Sequence, residues 1–378
     1  MAAQPPERAW LVSFAAVASF IGLTRIELDG ARECYRPPSG RVKSRRCAEG
    51  GPPGPEHGAA GARALHYNAA VMETPSACDS ILETIGHTPL VRIRRMNPEP
   101  EALIYAKIEG FNPMGSVKER IALRIVDEAE RRGDLKPGMT LLESSSGNTG
   151  IGLAMVGAIK GYRVVVTMAQ KVSVERRQIL RALGAEIVFT SKEGGSDEAW
   201  DLADALCARD PVRYFRVGQY VNPDNIRAHY EGTAEEVWMQ TGGRVDWLVL
   251  TLGTCGTLVG MARRLKERNP ALKVVSVEPQ SRHAQQGLRN MTESRVPVIM
   301  DWSLVDERMT VTDADAFETA RELARREGIF AGISSGTAMF AALQIARRVK
   351  TGHIVTLLPD RGEKYLSTPL YPEGPGPV

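Results

Sequence analysis

The sequence holds no paired cysteines. Cys34, Cys47, Cys78, Cys207 and Cys255 are scattered, odd in number, and none stands in a C-x-x-C pair. That excludes a disulfide framework and a cysteine zinc site, so no metal centre is expected, and it fits a reducing cytosol. Long apolar runs are also missing. The weakly polar stretch "WLVSFAAVASFIGL" from Trp10 to Leu23 spans 14 residues, short of the roughly 20 that a transmembrane helix needs. No repeat of fixed period is present, and no excess of one charge marks the body of the chain. Residues 1–71 carry nine Lys/Arg and six Asp/Glu, which accounts for the whole net charge of +3. A neutral body without a basic stripe argues against nucleic acid as a partner.

What is present is an ordinary globular composition, 43% hydrophobic and 25% charged over 378 residues. That is enough for one large α/β unit or two domains. The first 75 residues stand apart. After the apolar run comes a Pro-, Gly- and Arg-rich stretch, "YRPPSGRVKSRRCAEGGPPGPEHGAAGARA", too poor in apolar surface to order itself. It reads as a disordered leader or as translation from too early a start, with Met72 as a natural beginning. A signal peptide is the other reading, with Arg8 before a short apolar core that contains the small residues "AVA".

From about Ser80 the pattern becomes strand–helix alternation. Strands are expected at 140–144, 162–168, 185–190, 245–253, 272–279 and 353–360. Helices are expected at 173–184, 198–209, 225–242 and 313–328. Continuous apolar strands alternating with helices imply parallel sheets covered on both faces. The first such series ends near "QYVNPDN" (219–225).

In open α/β sheets, ligands bind at the carboxyl ends of the strands. Three Gly/Ser/Thr loops sit there: "ESSSGNTGIGLAM" (143–155), "LGTCGTLVG" (252–260) and "GISSGTAMFAAL" (332–343). Each runs into a helix, whose free N–H groups attract anions. None fits G-x-x-x-x-G-K-[ST] or the full G-x-G-x-x-G spacing. Each alone could be a plain strand-to-helix turn. A fourth feature is Lys118, behind the turn "NPMGS" and at the start of an amphipathic helix, where the helix dipole disfavours a cation. A surface lysine is the plain alternative. Near positive dipoles and away from water, however, its pKa falls and it becomes nucleophilic toward a carbonyl. A phosphate loop, a carboxylate loop and a carbonyl-reactive lysine together fit pyridoxal phosphate, an electron sink for amino-acid carbanions.

"NPMGSVKER" resembles the Asn-Pro-x-x-Ser-Val-Lys-Asp-Arg segment of the cysteine synthase family, the β-family (fold type II) of pyridoxal-phosphate enzymes. "IGHTPLVRI", "SGNTGIGLA", "ERRQILRALGAEI", "NPDNIRAHY", "EEVWMQTGGRVD", "EGIFAGISSG" and "PDRGEKYLST" extend the similarity over about 78–372. The stretch "GLRNMTESRVPVIMD" (287–301) favours the cysteine synthase B and O-phosphoserine-using subgroup.

The resemblance implies an α/β, tryptophan synthase β-like fold: two open, mostly parallel sheets flanked by helices. Residues 76–118 and 223–372 would form the larger, cofactor-binding domain, 119–222 a smaller mobile domain for the substrate carboxylate, and 373–378 a tail. Lys118 would carry pyridoxal 5'-phosphate as an imine and act as the general base. Asn148 would lie beside the ring hydroxyl, Gly253, Thr254, Cys255, Gly256 and Thr257 around the phosphate, and Ser334 at the pyridine nitrogen. Ser145, Ser146, Thr149 and Gln219 would take the substrate carboxylate. Arg289 would meet the phosphate of O-phosphoserine, unless it is a surface arginine paired with Glu293 or solvent.

The implied reaction is β-replacement of O-acetyl-L-serine or O-phospho-L-serine by sulfide or another sulfur donor, through an α-aminoacrylate, in a cytoplasmic homodimer. Cystathionine β-synthase, diaminopropionate synthase and serine/threonine dehydratase share the same parts, as would a cofactor-bound scaffold for a partner's C-terminal tail. A plain nucleotide-binding protein is a third class. Four departures from the family pattern stand out: Glu143-Ser144-Ser145-Ser146 for a Pro-containing segment, Cys255 in the phosphate loop, and "AQKVSVERR" and "YEGTAEEVW" on the domain face.

Overall fold

A computed structural model describes residues 77–145, 147–191 and 193–372. The expectations for residues 1–75, for Ser146 and for the tail 373–378 lie outside the described residues. The strands are β1 (Leu90–Ile93), β2 (Ala102–Ile108), β3 (Thr140–Ser144), β4 (Arg163–Ala169), β5 (Glu186–Thr190), β6 (Tyr214–Arg216), β7 (Trp247–Thr251), β8 (Lys273–Pro279), β9 (Glu307–Val311) and β10 (Gly352–Leu358). The helices are α1 (Lys118–Arg132), α2 (Asn148–Lys160), α3 (Val174–Ala182), α4 (Gly195–Arg209), α5 (Pro223–Ala228), α6 (Ala234–Gln240), α7 (Gly256–Arg268), α8 (Asp313–Glu322) and α9 (Ile333–Val349).

They build two sheets. One has the order β1-β2-β10-β7-β8-β9, the other β5-β4-β3-β6. Every pairing is parallel except β1 with β2. β10 is central: Ile354 faces Ile104 of β2 on one side and Trp247 of β7 on the other. Parallel strands need both faces covered. α8 and α9 pack Ala316, Ala320, Met339 and Ala342 against Ile104, Val249 and Ile354 on one face of the six-stranded sheet. α6 and α7 pack Val237, Leu258 and Leu265 against Leu248, Val274 and Val355 on the other. The four-stranded sheet has its own core, in which Ile121 and Ile125 of α1, Ile151 of α2 and Leu180 of α3 meet Leu141, Val164 and Val166.

Six strands fall where the apolar runs place them. Four others carry weaker signals. β2 contains the buried Lys107 in "ALIYAKI", β6 has three residues, and the edge strands β1 and β9 are only partly buried. The helix expected at 225–242 is broken into α5, a π-helical turn His229–Thr233 and α6. The helix expected at 313–328 ends as α8 in a second π-turn, Leu323–Glu327. Such turns re-aim side chains; the first points His229 at Thr257, with Nε2 3.1 Å from its hydroxyl. No helix among the described residues is long and apolar enough to cross a membrane.

Candidate active site

Lys118 is the first residue of α1, and its neighbours explain how the helix tolerates it. Asn112 Nδ2 donates to Glu109 O, Glu109 Oε2 and Ser116 O, each at 2.9 Å, which closes the preceding turn. Glu119 then reaches back: Oε1 accepts from Ser116 N (2.8 Å) and Ser116 Oγ (3.0 Å), and Oε2 from Met114 N (2.8 Å). This is capping-box chemistry, with the carboxylate drawing backbone donors to the helix start. Burial raises the Glu119 carboxyl to about 7, against those hydrogen bonds and the nearby charge of Lys364. Val117 N donates to Pro359 O (2.8 Å), fastening the turn to the carboxyl end of β10.

Lys118 reaches into a cavity of ≈ 540 Å³, a size that suits a cofactor plus a small substrate. Its side chain is half-exposed to that space, but protein walls rather than bulk water surround it. Desolvation lowers its pKa from 10.5 to about 8, opposed by the charges of Asp360 and Glu109. Of the two causes the sequence suggested, positive dipoles and removal from water, the second is the larger.

The loop after β7 forms one wall. Gly253, Thr254, Cys255 and Thr257 line the cavity, and Gly256 opens α7 just behind them. A Cβ on Gly256 would sit 1.9 Å from Asn225 Oδ1, and one on Gly253 would sit 2.8 Å from Gly287 O. The loop backbone is therefore pressed against its neighbours, with its helix N-terminus at the cavity, as a phosphate cradle requires. Asn225 Nδ2 holds the loop by donating to Thr254 Oγ1 (3.1 Å) and Gln219 O (2.8 Å). Cys255 takes φ +70°, a conformation that glycine prefers. Its thiol is buried and pushed up to about 12 by desolvation, so it stays protonated. Gly256→Ala should displace Asn225 at a cost of about 1–3 kcal/mol and weaken phosphate-ester binding at least about tenfold. Calorimetric titration with pyridoxal 5'-phosphate checks this.

The loop after β3 forms the facing wall. Ser145, Asn148 and Thr149 line the cavity, as do Gln219 and Ser334. Thr149 Oγ1 donates to Gln219 Oε1 (2.6 Å), and Gln219 Nε2 to Ser144 O (2.6 Å). Ser145 Oγ accepts from Gly147 N and Gly150 N, each at 3.1 Å, capping α2. Both ends of the Asn148 amide are engaged: Nδ2 donates to Asp360 Oδ2 (2.7 Å), and Oδ1 accepts from Lys364 Nζ (3.0 Å). Asp360 also accepts from Tyr365 OH at 2.7 Å and lies 3.5 Å from Arg176. Arg289 is not a surface residue. It is 4% exposed, lines the cavity and pairs with Asp197, while Glu293 binds Ser281 and the Arg282 N–H instead.

One cavity thus gathers every described residue that the sequence singled out, Gly256 standing one position behind it. The sequence missed the groups that hold them. Chief among these is a buried network: Arg120 bonds Glu109 (Nε–Oε2 2.6 Å) and Glu236 (NH1–Oε1 2.6 Å), and Lys107 bonds Glu236 Oε2 (2.6 Å). Its readable signal was a buried-strand lysine in "ALIYAKIEG", since a charge inside an apolar strand needs a partner.

Known proteins are similar to this chain in sequence and fold. The family model described as "Pyridoxal-phosphate dependent enzyme" matches residues 81–360. Cysteine synthase B of Salmonella typhimurium is 44% identical over 78% of this chain and 97% of its own. O-ureido-L-serine synthase of Streptomyces lavendulae is 44% identical over 78% of this chain and 92% of its own. The crystal structure of cysteine synthase from Entamoeba histolytica superposes with a TM-score of 0.75 at 39% identity, over 80% of this chain and 94% of that one. A buried-site lysine lowered to about 8, glycine-bearing loops at helix N-termini and a family match over most of the body agree: this chain belongs to the pyridoxal-phosphate dependent enzymes, on the fold type II scaffold of the cysteine synthases.

Proposed function

We propose that the chain is a cysteine synthase that replaces the β-oxygen substituent of an activated L-serine with sulfur. The observation that carries this reading is the Lys118 amine, lowered to about 8 inside the cavity, opposite a hydrogen-bonded Thr149–Gln219 pair. Pyridoxal 5'-phosphate, when bound, supplies the electron sink that acidifies the substrate Cα–H and frees its β substituent. Lys118, Asn148, Ser334 and the 253–257 loop would hold it. Ser334, which lines the cavity, would offer the bound cofactor a neutral hydroxyl where a carboxylate would keep its ring nitrogen protonated.

This chain's own residues do the rest. Lys118 Nζ, about half of it neutral at pH 8, takes the Cα proton and returns it. Ser145, Ser146, Thr149 and Gln219 orient the substrate carboxylate. Residues 119–222, whose sheet carries a separate core, close over the cavity and exclude water. Deployment as a cytoplasmic homodimer belongs to the same reading. It is supported by free Cys78, Cys207 and Cys255 and by the exposed side chains of Phe111 (70%) and Phe330 (43%), which a partner copy would cover. Sedimentation at micromolar concentration checks the dimer.

The deciding assay supplies hydrogen sulfide with O-acetyl-L-serine, O-phospho-L-serine or L-serine and measures cysteine. Turnover of an ester at least about 100-fold above L-serine is expected, because a hydroxyl is the poorer leaving group. Turnover of L-serine with homocysteine, and of neither ester, would overturn the reading in favour of cystathionine synthesis.

A further inference from the structure

Arg289 projects from the segment after β8 onto α4 of the other sheet. Its NH1 donates to Asp197 Oδ1 (2.8 Å) and to Arg295 O (3.1 Å), and its NH2 to Ser196 Oγ (3.0 Å). The guanidinium also stacks on Tyr220, 4.5 Å from the ring centroid. Asp197 is braced from its other oxygen, which accepts from Arg295 N at 3.2 Å. Arg289, Asp197 and Ser196 all line the cavity that Lys118 enters. Bidentate recognition of phosphate by arginine needs the parallel N–H donors of its fork. Here those donors are directed to a carboxylate, a hydroxyl and a carbonyl, and the positive charge is compensated within 3 Å. Lys171 and Glu293 also line the mouth and offset one another in charge.

We propose that Asp197 sets the leaving-group class of the serine substrate: seated on Arg289, it favours an uncharged β-O-acyl group and disfavours a phosphate dianion. This rests on the cysteine synthase reading and narrows it. In both alternatives the Cβ–O bond breaks with its electron pair on oxygen and a Cβ–S bond forms. O-Acetyl-L-serine and hydrogen sulfide give L-cysteine and acetic acid; O-phospho-L-serine and hydrogen sulfide give L-cysteine and hydrogen phosphate. The neutral ester asks nothing of Arg289. The dianion must share the guanidinium with a carboxylate, and like charges at such range in a partly buried site repel strongly. Asp197 is a positioning residue, acting through Arg289.

The test is Asp197→Asn, which keeps the shape and an acceptor for Arg289 while removing the charge. With sulfide as donor, the wild-type holoenzyme should have the higher kcat/KM for O-acetyl-L-serine. The ratio of kcat/KM for O-phospho-L-serine to that for O-acetyl-L-serine should rise about 10- to 100-fold in the variant. Calorimetric titration of the holoenzyme with inorganic phosphate should tighten in parallel, and Arg289→Ala placed on the variant should cancel both gains. A wild type that prefers O-phospho-L-serine, or a variant with an unchanged ratio and unchanged phosphate affinity, overturns the proposal. Should neither ester be turned over, the cysteine synthase reading fails, and the phosphate titration alone decides the role of Asp197.

Discussion

Lys118→Ala is expected to lower turnover by about 10³-fold or more, since it removes both the nucleophile and the proton carrier. Lys118→Arg should do no better: a guanidinium stays protonated and cannot serve in either role. The pH dependence makes the prediction specific. With the amine lowered to about 8 by desolvation, the neutral fraction is large above pH 8 and falls about tenfold for each unit below it. A lysine at the ordinary 10.5 would be almost wholly protonated throughout this range. Cofactor-free protein treated with pyridoxal 5'-phosphate and borohydride should therefore be labelled on the peptide containing Lys118, with half-maximal rate near pH 8. Labelling spread over many peptides, or a midpoint near 10.5 at Lys118, would refute the account of the site.

The parts of the site that were legible in the sequence are those made by the backbone. Glycine-rich turns between an apolar strand and a helix announce themselves by composition, so the loops at Ser145, Gly253 and Gly332 and the helix starts at Asn148, Gly256 and Ile333 follow from pattern alone. Lys118 was legible as an anomaly, a cation at a helix start. Illegible was everything that depends on which distant charge meets which. Asp197 lies 92 positions from Arg289, and Asp360 lies 212 from Asn148. No local rule predicts such pairs, because the folded topology brings them together. Lys107 in the strand Ala102–Ile108 signals that some partner is needed, but not that the partner is Glu236, 129 positions away. The two π-turns are likewise tertiary effects, since the periodicity of 225–242 reads as one helix.

Glu109→Ala should be among the most destabilising single substitutions in the chain, at about 3–5 kcal/mol. The side chain is fully buried. Its Oε1 accepts from Thr88 Oγ1 (2.7 Å) and Arg120 NH2 (2.9 Å), and its Oε2 from Arg120 Nε (2.6 Å) and Asn112 Nδ2 (2.9 Å). The network holds two cations, Lys107 and Arg120, against two anions, Glu109 and Glu236. Removing one anion leaves a net charge in a region closed to water. A drop in Tm on the order of 10 °C is expected. Glu109→Gln, which keeps an acceptor but not the charge, should lie between that variant and wild type.

Acid should not discharge the second anion, Glu236, until low pH. Burial alone would raise the Glu236 carboxyl, but the hydrogen bonds and charges of Arg120 and Lys107 outweigh it and hold it at about 2. A carboxylate depressed on folding stabilises fully above its unfolded value near 4.5 and loses that contribution only as pH falls toward 2. The pairs of Glu236 with Arg120 and Lys107 should therefore survive at pH 5 in wild type. The consequence reaches the site because Asn112, bound to Glu109, closes the turn that delivers Lys118. Slower labelling of Lys118 in Glu109→Gln at temperatures where the variant is folded would show that the network positions the amine. Full-rate labelling together with a Tm within 3 °C of wild type for Glu109→Ala would show that water has entered the network and that the turn stands without it.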